Sequence, residues 1–342
     1  MMSAPGFWWR SPPAVPARLL QPIGAIYGAA TLSRMRRPGT SAGIPVICVG
    51  NFVAGGAGKT PTVLALAERL AAAGESPFVL SRGYGGREAG PLRVEPDRHG
   101  AAEIGDEPLL MAGHLPVIVA RDRPAGAALA RAQGASLIVM DDGLQNPSLH
   151  KDLRLAVVDG AAGIGNGLCF PAGPLRAPIE GQLQETDAVV IIGAGEPGEV
   201  VAKLAQATGR PVLRAALSVV PEVRARLAGL SVIAASGIGR PEKFAATLRE
   251  AGARLAGERR YGDHHPYAAS DVAALIAGAK AQGCVVAVTE KDMVKLEPLW
   301  PAEERERLLA VPVRLGFEDE KAVDALLRQG LSRSGAAAAA NP

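Results

Sequence analysis

The chain is short of aromatics and cysteines, and it has no acid at all in its first 43 residues. Phe, Trp and Tyr make up 4% of 342 residues, and the three cysteines, Cys48, Cys169 and Cys284, lie far apart. An odd count without C-x-x-C spacing excludes a disulfide framework and a cysteine zinc site, and it fits a reducing compartment. None of the five histidines has a cysteine nearby at metal-ligand spacing, which argues against a structural metal. Acid is missing only at the start. Residues 1–43 hold five arginines (Arg10, Arg18, Arg34, Arg36, Arg37), so of the 37 basic and 34 acidic residues the remainder carries 32 and 34. The basic character is local, and no nucleic acid is expected as a partner.

The N-terminal apolar stretch is too short to span a bilayer comfortably. Between Arg18 and Arg34 lie 15 uncharged residues, roughly 22 Å as a helix against a hydrocarbon core of about 30 Å. Leu19, Ile23, Ile26, Tyr27 and Ala30 recur at helical spacing, Trp8 and Trp9 precede them, and arginines flank them. That pattern predicts an amphipathic helix lying on an anionic membrane surface. Packing on the protein's own core and a targeting segment are the alternatives, the latter weakened by Pro12, Pro13, Pro16 and Pro22.

From residue 44 apolar runs alternate with helical patterns: IPVICVG, SPFVL, LPVIVA, SLIVM, LRLAVVDG and DAVVIIG are each followed by a polar or glycine-rich turn. The expected fold is α/β, a mostly parallel sheet covered on both faces, with ligands at the carboxyl ends of the strands. A smaller α/β set begins near residue 218 with LSVIAASGIGRPEKF and continues through CVVAVTEKDMVKL and VPVRLGF. The predicted division is 1–43 membrane-associating segment, 44–217 phosphate-loop domain, 218–330 smaller domain and 331–342 disordered tail.

GNFVAGGAGKTP, residues 50–61, resembles the phosphate loop G-x-x-x-x-G-K-[ST], except that Val53 stands at the first glycine. A strand precedes it and a helix follows, as that loop requires. Val53, Ala54, Gly55, Gly56, Ala57 and Gly58 would line the nucleotide, with backbone N–H groups wrapping the phosphates. Lys59 would reach the β- and γ-phosphates, and the Thr60 hydroxyl would hold Mg²⁺. SLIVMDD supplies strand-end carboxylates for that cation, Asp141 and Asp142. A GTPase is not indicated, because TEKD at 289–292 has its lysine displaced from the base-reading pattern. The membrane-surface ATPases with a second signature lysine would place it at position 54, which is Ala54.

GNFVAGGAGKTP, SRGYGG, GDEP, RDRPAG, DDGLQN, PAGPLR, DHHPY and TEKDMVKL occur in an order that resembles the tetraacyldisaccharide 4'-kinase family over roughly residues 5–325. The resemblance implies a phosphate-loop kinase of two α/β domains at the cytoplasmic face of the bacterial inner membrane. It implies ATP and Mg²⁺ as cofactors and the glycolipid tetraacyldisaccharide 1-phosphate as acceptor, phosphorylated on its 4'-hydroxyl to give lipid IVA. It makes Asp106 the proton acceptor, paired with His264; on the residues alone Asp106 also suits a helix cap and His264 a turn. Arg82 and Arg123 become candidates for neutralising the transferring phosphoryl group, with Arg121 competing for the role of Arg123. Two positions depart from the family pattern. Asn146 stands where D-D-G-x-Q-H has histidine, and Ala177 where P-A-G-x-L-R-E-P has glutamate, with Glu180 the nearest substitute.

The two-domain layout predicts a cleft that closes around ATP and excludes water. The rivals are a phosphate-loop switch or metallochaperone and a membrane-tethered ATP sensor; neither requires GDEP or DHHPY.

Overall fold

Short runs of β-branched and aliphatic residues between glycine turns become strands buried on both faces. Residues 5–339 are described in the computed structural model of the chain, so residues 1–4 of the N-terminal segment and 340–342 of the tail lie outside the described residues. The strands are β1 (Val46–Asn51), β2 (Pro77–Ser81), β3 (Leu92–Arg93), β4 (Val117–Val119), β5 (Leu137–Asp141), β6 (Leu153–Asp159) and β7 (Ala188–Ile192). After them come β8 (Val212–Val219), β9 (Ser231–Ser236), β10 (Arg254–Arg260), β11 (Val285–Thr289), β12 (Leu308–Val311) and β13 (Val313–Phe317). The large sheet runs β13-β8-β7-β6-β1-β5-β2-β4-β3, parallel except for β3 on β4 and β13 on β8 at its two edges. The expected α/β class with a mostly parallel sheet is what forms.

Alternate residues of each central strand enter different cores. Ile47, Val49, Val79, Val139, Leu155 and Val190 meet Val63, Leu66 and Leu70 of the helix Lys59–Ala72 and Val323 and Leu327 of the helix Glu320–Ala339. Cys48, Leu80, Ile118 and Met140 meet Ala127 and Ala130 of the helix Arg123–Ala132 on the other face. Period-two alternation with apolar residues on both faces is why the parallel strands read as continuous apolar runs. It also brings the carboxyl ends of β1, β2, β4, β5 and β6 to one edge, where the polar motifs follow.

The smaller unit is an all-parallel sheet, β10-β9-β11-β12. Its predicted limits need correction. Val313–Phe317, read with the smaller set, is the edge strand antiparallel to β8 of the large sheet, with Leu315 opposite Leu217. The helix Glu320–Ala339 then packs on the large core, so the chain returns to the first unit before it ends. Periodicity could not show this, because an amphiphilic strand carries no label for the sheet it joins. The tail from 331, expected to be disordered, continues this helix as far as Ala339. Two adjacent crossings join the units, where Val220 N–H donates to Pro312 O at 3.2 Å.

The N-terminal helix runs Val15–Met35 and seats itself by its small side chains. Ala17, Gly24, Gly28, Thr31 and Met35 are buried, whereas Leu19 is 75% and Ile26 73% exposed, with Val15 and Ile23 also outward. A Cβ on Gly24 would stand 2.6 Å from Cys169 O, and one on Gly28 2.6 Å from Cys169 Sγ. The predicted apolar face therefore exists but points away from the protein. Trp8, expected at the interface, is instead buried: its Nε1–H donates to Pro171 O at 3.0 Å and its ring meets Phe170 edge-on. Among the described residues no helix is long and apolar enough to cross a membrane.

Candidate active site

The phosphate loop leaves β1 and enters the helix Lys59–Ala72 through Gly58, whose φ of +90° suits only glycine; a Cβ there would also stand 2.5 Å from Ile192 Cδ1. Gly55 is likewise left-handed, and both Gly55 and Gly56 are exposed, with nothing within 4 Å of where a side chain would begin. Val53 shows why the first glycine is dispensable. It forms an antiparallel bridge with Leu175 and is buried with Phe52 and Leu175, in a conformation that needs no glycine. Ala54 N–H donates to Pro174 O at 2.7 Å, and Ala57 is buried in the main core. The PAGPLR segment thus braces the front of the loop.

Lys59, at the helix start, reaches Gly55 O at 3.5 Å and Asp142 Oδ1 at 3.8 Å. Thr60 is half-buried in the same first turn. The two strand-end carboxylates divide sharply. Asp142 sits in the left-handed region, φ 49°, and both its oxygens are held by Arg176, Nη1 to Oδ1 at 2.8 Å and Nη2 to Oδ2 at 3.1 Å. Burial raises its carboxyl, but Lys59 and Arg176 outweigh that and bring it down to about 2. Asp141 is 3% exposed; Ser81 Oγ donates to its Oδ2 at 3.2 Å, while its Oδ1 is buried without a hydrogen-bond partner. Burial, with the charges of Glu107 and Asp142, pushes Asp141 up to about 7. A buried carboxylate oxygen without a hydrogen-bond partner is chemically suited to a cation.

That observation tests the site for Mg²⁺, and the residues fit. The ion needs one or two carboxylates, with phosphate oxygens and water completing its octahedron. Asp141 Oδ1 is free of other partners and Thr60 lies in the first helical turn after the loop, whereas Asp142, expected to share the ion, is engaged by Arg176.

The arginines sort differently from expectation. Arg123, a candidate for the phosphoryl group, is 2% exposed and donates to Ala120 O and Asp141 O at 3.4 and 3.2 Å. Its place in the first turn of the helix Arg123–Ala132 directs it under the sheet edge, where it supports Asp141. Arg121 donates to Gly86 O and Arg87 O at 3.3 Å each. Arg82 is exposed at the end of β2 and close enough for its charge to act on Arg123. The residue that sequence reasoning missed is Arg176, which lies in a motif quoted above but meets Asp142 only through the tertiary fold. Asn146 turns away from the site, its Oδ1 accepting from Ser148 N–H and Oγ–H. Ala177 is fully buried and Glu180 exposed, so no acid replaces the family glutamate there.

The second cluster joins the two units. Gly105, with φ +93°, lets the helix Asp106–Ala112 begin against Tyr84 O. Asp106 is 5% exposed and accepts from Glu107 N–H at 2.9 Å, but it is the first residue of the helix and not its cap: Gly105 holds the N-cap position, and no side chain caps there. It also lies 3.0 Å from His264 Nδ1 through both oxygens, so the pair implied by the family resemblance is formed. His264 is itself left-handed, φ 57°, and its N–H donates to Gly237 O. Lys291 Nζ stands 3.1 Å from Glu107 Oε1, 3.2 Å from His264 Nε2 and 3.9 Å from Asp106 Oδ2; Lys295 Nζ is 3.6 Å from the same Asp106 oxygen. Burial would raise the Asp106 carboxyl, but the His264 hydrogen bond and the two lysines leave it below its ordinary value. Glu107, next in the chain, is near enough to Asp141 for its charge to be felt there. An ionised carboxylate therefore stands on the helix whose next residue acts on Asp141.

The tetraacyldisaccharide-1-P 4'-kinase family profile matches residues 16–332. A tetraacyldisaccharide 4'-kinase of Methylobacterium nodulans is 55% identical over 336 residues, spanning 98% of this chain and 97% of its own length. One from a Bradyrhizobium species is 52% identical and covers 97% of this chain and 96% of its own. Among solved structures, LpxK from Aquifex aeolicus in complex with ATP superposes with a TM-score of 0.72 at 25% identity, over 93% of this chain and 100% of that one.

Proposed function

The chain belongs to the tetraacyldisaccharide 4'-kinase family and is a kinase of lipid A biosynthesis, and from that premise we propose that it transfers the γ-phosphoryl group of ATP to the 4'-hydroxyl of tetraacyldisaccharide 1-phosphate. One observation carries the reading: Asp106, ionised and 3.0 Å from His264, is followed by Glu107, whose charge reaches Asp141 at the end of the strand beside β1. A phosphate-loop switch does not require the GDEP and DHHPY residues, whereas a sugar hydroxyl needs an acceptor for its proton.

In this reading the backbone of Gly55–Gly58 and the start of the helix Lys59–Ala72 hold the ATP phosphates, with Lys59 neutralising the β- and γ-oxygens. Thr60 and Asp141 would hold Mg²⁺, which when bound would supply positive charge to the phosphates. Asp142 and Arg176 form a rigid bidentate pair that fixes Lys59 from the other side. Asp106 accepts the 4'-hydroxyl proton as the oxygen attacks phosphorus. Arg82, exposed at the mouth, meets the transferring group; Arg123 acts beneath Asp141.

The acceptor carries four acyl chains and stays in a bilayer, so the enzyme must reach it. The outward row Val15, Leu19, Ile23 and Ile26, with Arg18 within it and Arg34 beyond it, supports attachment to the cytoplasmic face of the inner membrane. Each fully buried aliphatic side chain contributes about 1.5–3 kcal/mol; four such residues suit reversible docking.

Incubation in detergent micelles with γ-labelled ATP, Mg²⁺ and tetraacyldisaccharide 1-phosphate tests the proposal. Label moves to the lipid in the wild type, is lost in Lys59→Ala and falls about 10²–10⁴-fold in Asp106→Ala. Label released only as free phosphate would return the switch reading.

A further inference from the structure

We propose that Lys291, from the TEKDMVKL motif, is the positioning residue that fixes the tautomer of His264 and so keeps Asp106 the sole proton acceptor. The inference rests on the reading of Asp106 as the base.

The argument begins with what each group is able to donate. An ammonium has three N–H donors and no acceptor. Lys291 Nζ lies 3.2 Å from His264 Nε2, so that nitrogen must present its lone pair. The ring proton is then on Nδ1, 3.0 Å from both Asp106 oxygens, and the imidazole donates to the carboxylate. Lys291 stays charged in this site: burial opposes it, but Glu107, Asp106 and Asp263 raise it above its ordinary value.

Every element packed on the imidazole contributes to this balance. Asp106 and Glu107 face it from the helix Asp106–Ala112, and Lys291, Lys295 and Asp292 stand around the pair on the helix Glu290–Leu296. Asp263 lies in its own loop, 3.9 Å from Nε2, and the Tyr84 ring packs against it with centroids 5.4 Å apart. Lys291 alone among these cations touches the ring. Lys295 is turned toward Asp292, 3.2 Å away, and toward the face of Tyr267. Asp292 is itself spent on Gly237 N–H, Tyr267 Oη–H and Thr289 Oγ1–H, which anchor the loop leading to His264. One helix therefore builds the loop with Asp292 and sets the ring's protonation with Lys291.

Removing the cation frees Nε2 to carry the ring proton, and the imidazole is then no longer held to donate from Nδ1 to Asp106. Asp106 would lose the donor that orients it toward the sugar hydroxyl.

The test uses the full chain in micelles. In wild-type protein with ¹⁵N-labelled histidine, the ring assigned by His264→Gln shows Nδ1 protonated and Nε2 unprotonated at pH 7. In Lys291→Met the ring becomes a mixture of Nδ1- and Nε2-protonated forms and kcat falls about tenfold, and Lys291→Arg restores most of both because a cationic donor remains. A wild-type ring protonated on Nε2, or on both nitrogens, overturns the proposal even if Lys291→Met fails to fold. So does Lys291→Met with lower kcat and a His264 ring still wholly protonated on Nδ1, which is the mark of a merely structural lysine. Failure of the base reading shows separately, as Asp106→Asn retaining wild-type kcat whatever the histidine spectrum.

Discussion

At the scale of single residues, the site is made of charges whose partners decide their work. Arg176 holds Asp142 through two bonds, so Arg176→Ala should lower kcat/KM for ATP by about ten- to a hundredfold, and Arg176→Lys should recover only part, since an ammonium lacks the planar fork. Steady-state kinetics with varied ATP measures both. Asp106 has a depressed folded-state carboxyl, so it contributes stability above the unfolded value near 3.9 that is lost as pH falls through the lower folded value. Asp106→Asn should therefore flatten the loss of thermal stability below about pH 4, read by Tm against pH. The phosphate-loop lysine, Thr60 and the strand-end aspartates were legible because their spacing is local. Arg176, Lys291 and the demotion of Arg123 to a support were not, because each depends on a partner brought near only by folding. Asp141 and Asp142 are neighbours in sequence, yet no local rule tells which one a cation would find free.

At the scale of elements, the N-terminal helix is built in reverse of an ordinary surface helix. Small residues face the protein and aliphatic ones face out. Gly28→Leu, placed against Cys169 Sγ and Pro178, should cost about 1–3 kcal/mol by overpacking and loosen the helix, seen as a lower Tm and faster proteolysis near residue 35. Ile26→Glu sits on the outward row, so it should leave Tm unchanged and reduce sedimentation with anionic vesicles. The helical spacing of Leu19, Ile23 and Ile26 was visible in the sequence. Which way the face points was not, since glycine at 24 and 28 reads as weakness in a helix until Cys169 is seen to need the space. The apolar runs predicted the central strands well, because burial on both faces leaves a continuous signal. The edge strand β13 alternates, and an alternating strand fits either sheet.

For the whole molecule, a charge clamp crosses the seam beside the paired crossings. Asp159, at the end of β6, is buried and binds Arg240 at 2.5 Å and also Lys243, both from the smaller unit. Asp159→Asn should speed hydrogen exchange in residues 237–244 while the helix Lys59–Ala72 keeps its protection, as expected where one seam loosens and each core persists.

His264 belongs to the smaller unit and Asp106 to the larger, so the molecule carries an interlock. The phosphate loop lies wholly in the larger unit, whereas the Asp106–His264 pair exists only where the two units meet. A change that parted the units would leave the loop whole and take the imidazole away from its carboxylate.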